Sequence, residues 1–317
     1  MKQRLKEEKG SMAVYVSVVL LSMLIILSAV LLTSNAARRS QLQTAMDLKQ
    51  SYEADNSRAA EIYAELMQKP QDPTEDPTDS YVQDGLILHY DAIKNTGNGH
   101  DNTATTWKDL SGNGNDGTIS GATWNSTYLA FDGVDDIVST TNELNFNSSQ
   151  AVTVEFVFVN NNFDGLKILF ELAENSNNAD CGFYIDTGEY GTNDLTFAMK
   201  YEINEYRNHK MTDEILDNTV ASYSMQFDST KSYDNFIAIY KNSQNYAVKD
   251  VIDSAITTNV DLSGRTLINH KMYIGGRQGG IHCANMNLMA VRVYNRALTQ
   301  NEIQQNYEID KEKYNLP

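Results

Sequence analysis

An all-β sandwich carried behind a long N-terminal helix that crosses a membrane is the architecture this 317-residue sequence predicts. Three observations predict it. Residues 12–32 form a continuous apolar run behind a charged leader. Residues 70–79 gather three of the chain's four prolines among acidic residues. From Tyr81 onward, short alternating apolar stretches separated by Gly, Asn and Asp replace helical periodicity. The division that follows is a leader (1–10), a transmembrane helix (11–33), a helical stalk (34–69), a Pro/acidic linker (70–80), a β domain (81–310) and a tail (311–317).

The apolar run sets the first element. About 21 residues at ~1.5 Å rise span ~30 Å, the thickness of a bilayer's hydrocarbon core. Lys2, Arg4, Lys6 and Lys9 precede it, and only Arg38 and Arg39 follow closely. The positive-inside rule then places the N-terminus in the cytoplasm and the C-terminal bulk outside, on a single-pass protein of the cell membrane. A cleaved secretory signal would carry an apolar stretch of about 7–15 residues, so the longer run favours a signal anchor.

The stalk follows from what is missing. Neither proline nor glycine occurs between Gly10 and Pro70, and Leu42, Met46, Tyr52, Ala59, Tyr63 and Leu66 recur at near-helical steps. That periodicity continues the membrane helix into one rod of roughly 85–90 Å. Pro70, Pro73 and Pro77 end it, because proline blocks helix continuation while the neighbouring carboxylates repel one another into an extended linker.

Beyond the linker the clearest strands are 86–90, 128–131, 152–159, 166–172, 195–201, 220–227, 235–240, 271–274 and 288–294. The stretch 152–159 (VTVEFVFV) is rich in β-branched and aromatic residues, as a central strand of a sandwich is. Many short strands without long amphipathic helices between them argue one all-β sandwich or jelly roll. Thr299 and Glu302 carry the spacing of a capping box for a short terminal helix through Ile303 and Tyr307.

Charge narrows the function. The first 39 residues hold six bases against two acids, so the remainder of a chain with net charge −17 carries −21. Such a surface repels nucleic acid, which is excluded as a partner. Cys181 and Cys283 have no C-x-x-C spacing; one disulfide and two buried thiols both remain open. The five histidines show no metal spacing, and no serine sits in a Gly-x-Ser-x-Gly elbow. Asp132, Asp135 and Asp136 fall within one turn. Clustered carboxylates there either cap backbone amides or supply hard oxygen ligands to calcium. No cofactor is required by any motif, and calcium is the one ion the pattern suggests. Trp107 and Trp124 are the candidate platforms for sugar rings, with core packing as the alternative.

Three stretches resemble the laminin-G-like branch of the concanavalin A-like lectin/glucanase superfamily. They are Trp107 to Thr118 (WKDLSGNGNDGT), Phe131 to Val138 (FDGVDDIV), and Ile274 to Arg277 (IGGR) followed by Val291 to Thr299 (VRVYNRALT). The resemblance spreads over most of residues 84–310. It implies a two-sheet jelly roll at a cell surface, binding glycans or proteins. Retaining glucanases of that superfamily place a Glu-x-Asp-x-x-Glu on one strand, and nothing here matches it; 152–159 carries only Glu155. The expectation is therefore that the chain is not an enzyme.

The leader carries a second resemblance. Lys6 to Gly10 (KEEKG) before Ser11 is similar to a prepilin leader cut between Gly10 and Ser11, and the helix behind it to a pilin stem, although Tyr15 stands where most pilins carry glutamate. These readings together give a membrane-anchored, surface-displayed binding or adhesion protein that recognises a glycan or a surface protein. The alternative is a minor pilin-like subunit, joined to other subunits through the stalk; a glycan hydrolase is a third.

Overall fold

Alternation puts Val152, Val154, Phe156 and Phe158 on one face of β7 (Ala151–Asn162), and that face becomes the centre of the core. Phe156 meets Phe170 of the opposite sheet with ring centroids 4.8 Å apart. The computed structural model describes residues 80–317 except 163–164, 173–180, 188–194, 203–204, 212–217, 232–234, 247 and 252–260. The expected leader, membrane helix and stalk, with Gly10 and Ser11, lie outside the described residues. Among the described residues no helix is long and apolar enough to cross a membrane.

Strands are numbered in chain order. The first sheet runs β14 (Gln244–Tyr246), β13 (Ile237–Lys241), β12 (Val220–Asp228), β7, β17 (Asn285–Tyr294), β5 (Tyr128–Asp132) and β4 (Thr123–Asn125), with β1 (Leu86–Asp91) also paired to β17. The second runs β15 (Val248–Val251), β11 (Glu205–Met211), β10 (Leu195–Glu202), β9 (Gly182–Thr187), β8 (Lys167–Leu172), β16 (Tyr273–Ile274), β6 (Ile137–Thr140), β3 (Gly117–Ser120) and β2 (Thr106–Trp107). Every pairing between these strands is antiparallel, from β1 on β17 to β8 on β9. The fold is a two-sheet β-sandwich, as the strand pattern predicted.

The outer face of the first sheet is covered by one helix, α1 (Gln300–Tyr314). Thr299 caps it and Glu302 completes the capping box; Asn315 closes it in the left-handed conformation. The helix runs past residue 310, and Leu316 beyond it is buried with Val157, Ala290 and Tyr307. A buried ionic group pins α1 down. Arg292 of β17 donates from Nε to Glu155 of β7 at 2.9 Å and from Nη1 to Asp310 of α1 at 3.0 Å. All three are at most 1 % exposed. Asn306 donates to Glu155 and to the Tyr294 hydroxyl, and Tyr81 donates to Asp310 at 2.9 Å. Burial pushes the Glu155 carboxyl above its usual range while Arg292 pulls it down. Lys313 and Tyr314 add a contact to Asp91 of β1.

The glycine-rich stretch after Trp107 clamps β1. Asp109, 4 % exposed, accepts from the backbone of His89, Ser111 and Asn115. Gly117 is required by close approach, since a Cβ there would stand 2.7 Å from Val138 and 2.8 Å from the Tyr90 hydroxyl.

Candidate functional site

The outer face of the second sheet mixes polar and apolar side chains. Phe183 and Ile185 of β9 and Leu195, Phe197 and Met199 of β10 point into the core between the sheets. Alternation therefore turns Tyr184, Asp186, Thr196 and Ala198 to the other side. Tyr184 and Ala198 pack there with Ile168, apart from the main core. Cross-strand pairing carries this face across four further strands. Thr118, Ser139, Tyr273, Glu171, Tyr184 and Ala198 stand in register on β3, β6, β16, β8, β9 and β10. Thr118 is exposed, Ser139 and Tyr273 are half-buried, and Glu171, Tyr184 and Asp186 are buried.

The loop between β16 and β17 folds over this face. Gly275 lets it do so: its φ is +86°, and a Cβ there would overlap the Phe131 ring at 2.3 Å. Arg277 and Ile281 then close a tight hairpin through the Arg277 N–H on the Ile281 carbonyl at 3.0 Å. Arg277 stacks over the Tyr184 ring at 5.2 Å and places Nε 3.3 Å from Glu171 Oε1. The Gln278 N–H donates to the other Glu171 oxygen at 3.0 Å, so this carboxylate is held from two sides. Burial raises the Tyr273 hydroxyl above its ordinary range, with the Glu171 charge adding to it.

The turn carrying the three aspartates abuts the same loop, with the Gly280 backbone beside Asp135 and Ile137. One carboxylate oxygen from each of Asp132, Asp135 and Asp136 fits within 4.8 Å of the others. The turn also caps itself: Asp136 accepts from Asp132 N–H and Asp132 accepts from Val134 N–H, each at 2.8 Å. Burial, and then the charges of Asp132 and Asp135, push the Asp136 carboxyl above its usual range against the hydrogen bond from Asp132. Val134 at 71 % and Ile281 at 53 % exposure are the exposed large apolar residues among those described, and both sit on these two tips. Cys283 follows the hairpin; it and Cys181 are buried thiols.

The tryptophans lie elsewhere. Trp107 is fully buried, stacked on Tyr90 at 5.1 Å and edge-on to Trp124 at 5.0 Å. Trp124 is half-buried on β4 and donates to the Ala104 carbonyl. Sequence reasoning missed Glu171, Tyr184, Tyr273 and Arg277 as a group. The alternation of Phe183, Tyr184, Ile185 and Asp186 was the available signal, but 182–187 was not among the strands expected.

No protein-family model matches the chain, and no curated protein matches it. Solved structures do. A Trypanosoma rangeli sialidase in complex with 2,3-difluoro-KDN is similar at a TM-score of 0.50 and 15% identity, over 86% of this chain and 40% of that one. The receptor binding domain of botulinum neurotoxin C/D mosaic serotype is similar at 0.50 and 12% identity, over 72% and 52%. The binding domain of botulinum neurotoxin DC in complex with SialylT is similar at 0.50 and 15%, over 71% and 52%. This chain spans about a third to a half of the length of the solved proteins it matches. At such identities the likeness is one of fold. It corrects the expectation that the chain is not an enzyme: a sialidase shares the fold, and lacking the Glu-x-Asp-x-x-Glu pattern does not exclude catalysis.

Proposed function

We propose that residues 81–310 form a laminin-G-like jelly roll that binds a glycan through the outer face of its second sheet. The observation that carries this is the row Ser139, Tyr273, Glu171 and Tyr184 with Arg277 laid over it. Hydroxyls, a fixed carboxylate and a guanidinium answer sugar hydroxyls, and a half-buried tyrosine offers a face to sugar C–H groups. The binding domains of similar fold support the reading, since botulinum neurotoxin type C depends for cell entry on two ganglioside molecules. Trp124 keeps a solvent-facing part and stays in the proposal as a secondary platform; Trp107 has no face to offer.

The apolar run 12–32 and the basic leader support display outside the cell on a membrane helix (11–33) and stalk (34–69), with Pro70 to Asp79 as linker. Processing at Gly10–Ser11 and packing with pilin-like subunits belong to the same proposal. A glycan array probed with the full chain in detergent, followed by assay of the bound glycans for released sugar, tests it. Binding to a restricted set, lost in Tyr273→Ala, is the expected result. Retention of no glycan would contradict it and leave the filament-subunit reading standing.

A further inference from the structure

We propose that Arg277 makes this face selective for glycans bearing a carboxylate on a sugar ring; the inference rests on the glycan-binding reading above. Arg292 and Arg296 have their guanidinium forks filled, with both Nη atoms of Arg292 on Asp310 and both of Arg296 on Glu302. Arg277 differs. Its Nε stands 3.3 Å from Glu171 as an ion pair without a hydrogen bond, its plane lies over Tyr184, and Nη1 and Nη2 likewise make no hydrogen bond to any described residue. The side chain stays 31 % exposed, against 1 % for Arg292.

The group is also held in place. The Arg277 and Gly280 N–H groups close the hairpin on the Ile281 and Arg277 carbonyls, each at 3.0 Å, and Gln278 fixes the carboxylate that orients Nε. A guanidinium paired by charge with a carboxylate at Nε and vacant along its Nη edge presents two parallel donors, the geometry a carboxylate accepts bidentately. Little side-chain entropy remains to be lost when it does. Tyr273, in register beside Glu171, then stands where the sugar ring carrying that carboxylate would lie.

The chain's net charge of −17 opposes anions at long range. Screening confines that opposition at physiological salt, where the Debye length is about 8 Å. Recognition is therefore of one carboxylate at contact distance, not of a polyanion along its length.

Titration calorimetry of the full chain in detergent micelles tests this, with sialyllactose, a uronic-acid oligosaccharide (hyaluronan), their carboxyl-reduced forms and sulfated lactose. One carboxylated probe should bind at least about tenfold more tightly than its reduced form, the scale of a charge-assisted bidentate contact. Arg277→Ala should erase that preference. Arg277→Lys, which keeps charge and fold but not the fork, should keep only part of it, with an unchanged melting temperature. Equal binding of carboxylated and reduced probes would overturn the selectivity and leave glycan binding intact, as would a preference for the sulfated sugar. Binding of none of them would overturn both.

Discussion

Arg292→Met should be among the most damaging single substitutions in the described part of the chain. It removes the Arg292 contacts to Glu155 and Asp310 and the stacking of the guanidinium over Tyr81 at 4.1 Å. What remains is two carboxylates, each at most 1 % exposed, with no cation between them. Breaking a buried pair from one side costs about 3–5 kcal/mol, because the abandoned charge stays desolvated. In a domain of this size each kcal/mol moves the melting temperature by about 2–4 °C, so the expected loss is about 6–20 °C. Glu155 already has its carboxyl raised by burial, and without Arg292 it rises further. The variant should therefore regain stability relative to wild type as pH falls from 7 to 5. Adding Glu155→Gln and Asp310→Asn should recover much of the loss by removing the stranded charges. Differential scanning calorimetry of the full chain reads all of this. A loss under about 1 kcal/mol, with no pH dependence of the difference, would show that water reaches the group and that it does not hold α1 on the sheet.

Two other outcomes follow from buried or clustered acids and bases. Burial, then the Arg292 charge, lowers His89 from 6.5 to about 3, so its stabilising share is complete above the unfolded value and is lost as pH falls toward 3. Between pH 7 and 5 that share falls by about 2 kcal/mol, and His89→Leu should flatten the pH dependence of unfolding in urea by that amount; an unchanged slope would show His89 charging freely in the fold. At the aspartate turn, millimolar calcium should leave the melting temperature unchanged, because Asp136 and Asp132 already cap backbone amides. Asp136→Ala should cost about 1 kcal/mol with or without the ion. A calcium-dependent rise abolished by Asp135→Asn would make the turn a metal site instead.

The sandwich was legible where one strand is apolar by itself. The stretch 152–159 stood out as central because both faces of β7 are buried, one by the opposite sheet and one by α1. The capping box at Thr299 and Glu302 was legible for the same local reason. Strands of mixed polar and apolar sequence were missed, β11 (EYRNHKM) and β9 (GFYIDT) among them, since pairing with neighbours rather than composition makes them strands. The ionic group under α1 was hidden by distance: Glu155 and Arg292 are 137 residues apart, and each looked like an ordinary polar position in its strand. The candidate site failed to appear for a like reason. Arg277 belonged to a recognised motif, but its partners Glu171 and Tyr184 join it only through the register of β8 on β9.

Hydrogen–deuterium exchange of the full chain, with and without a glycan that it retains, tests the central claim most directly. The account predicts added protection in β8, β9 and β16 and across the loop from Gly275 to Cys283, with none in α1 or the stretch from Trp107 to Gly117. Protection confined to the Trp107–Gly117 loop or to α1, with the outer face of the second sheet unaffected, would contradict it.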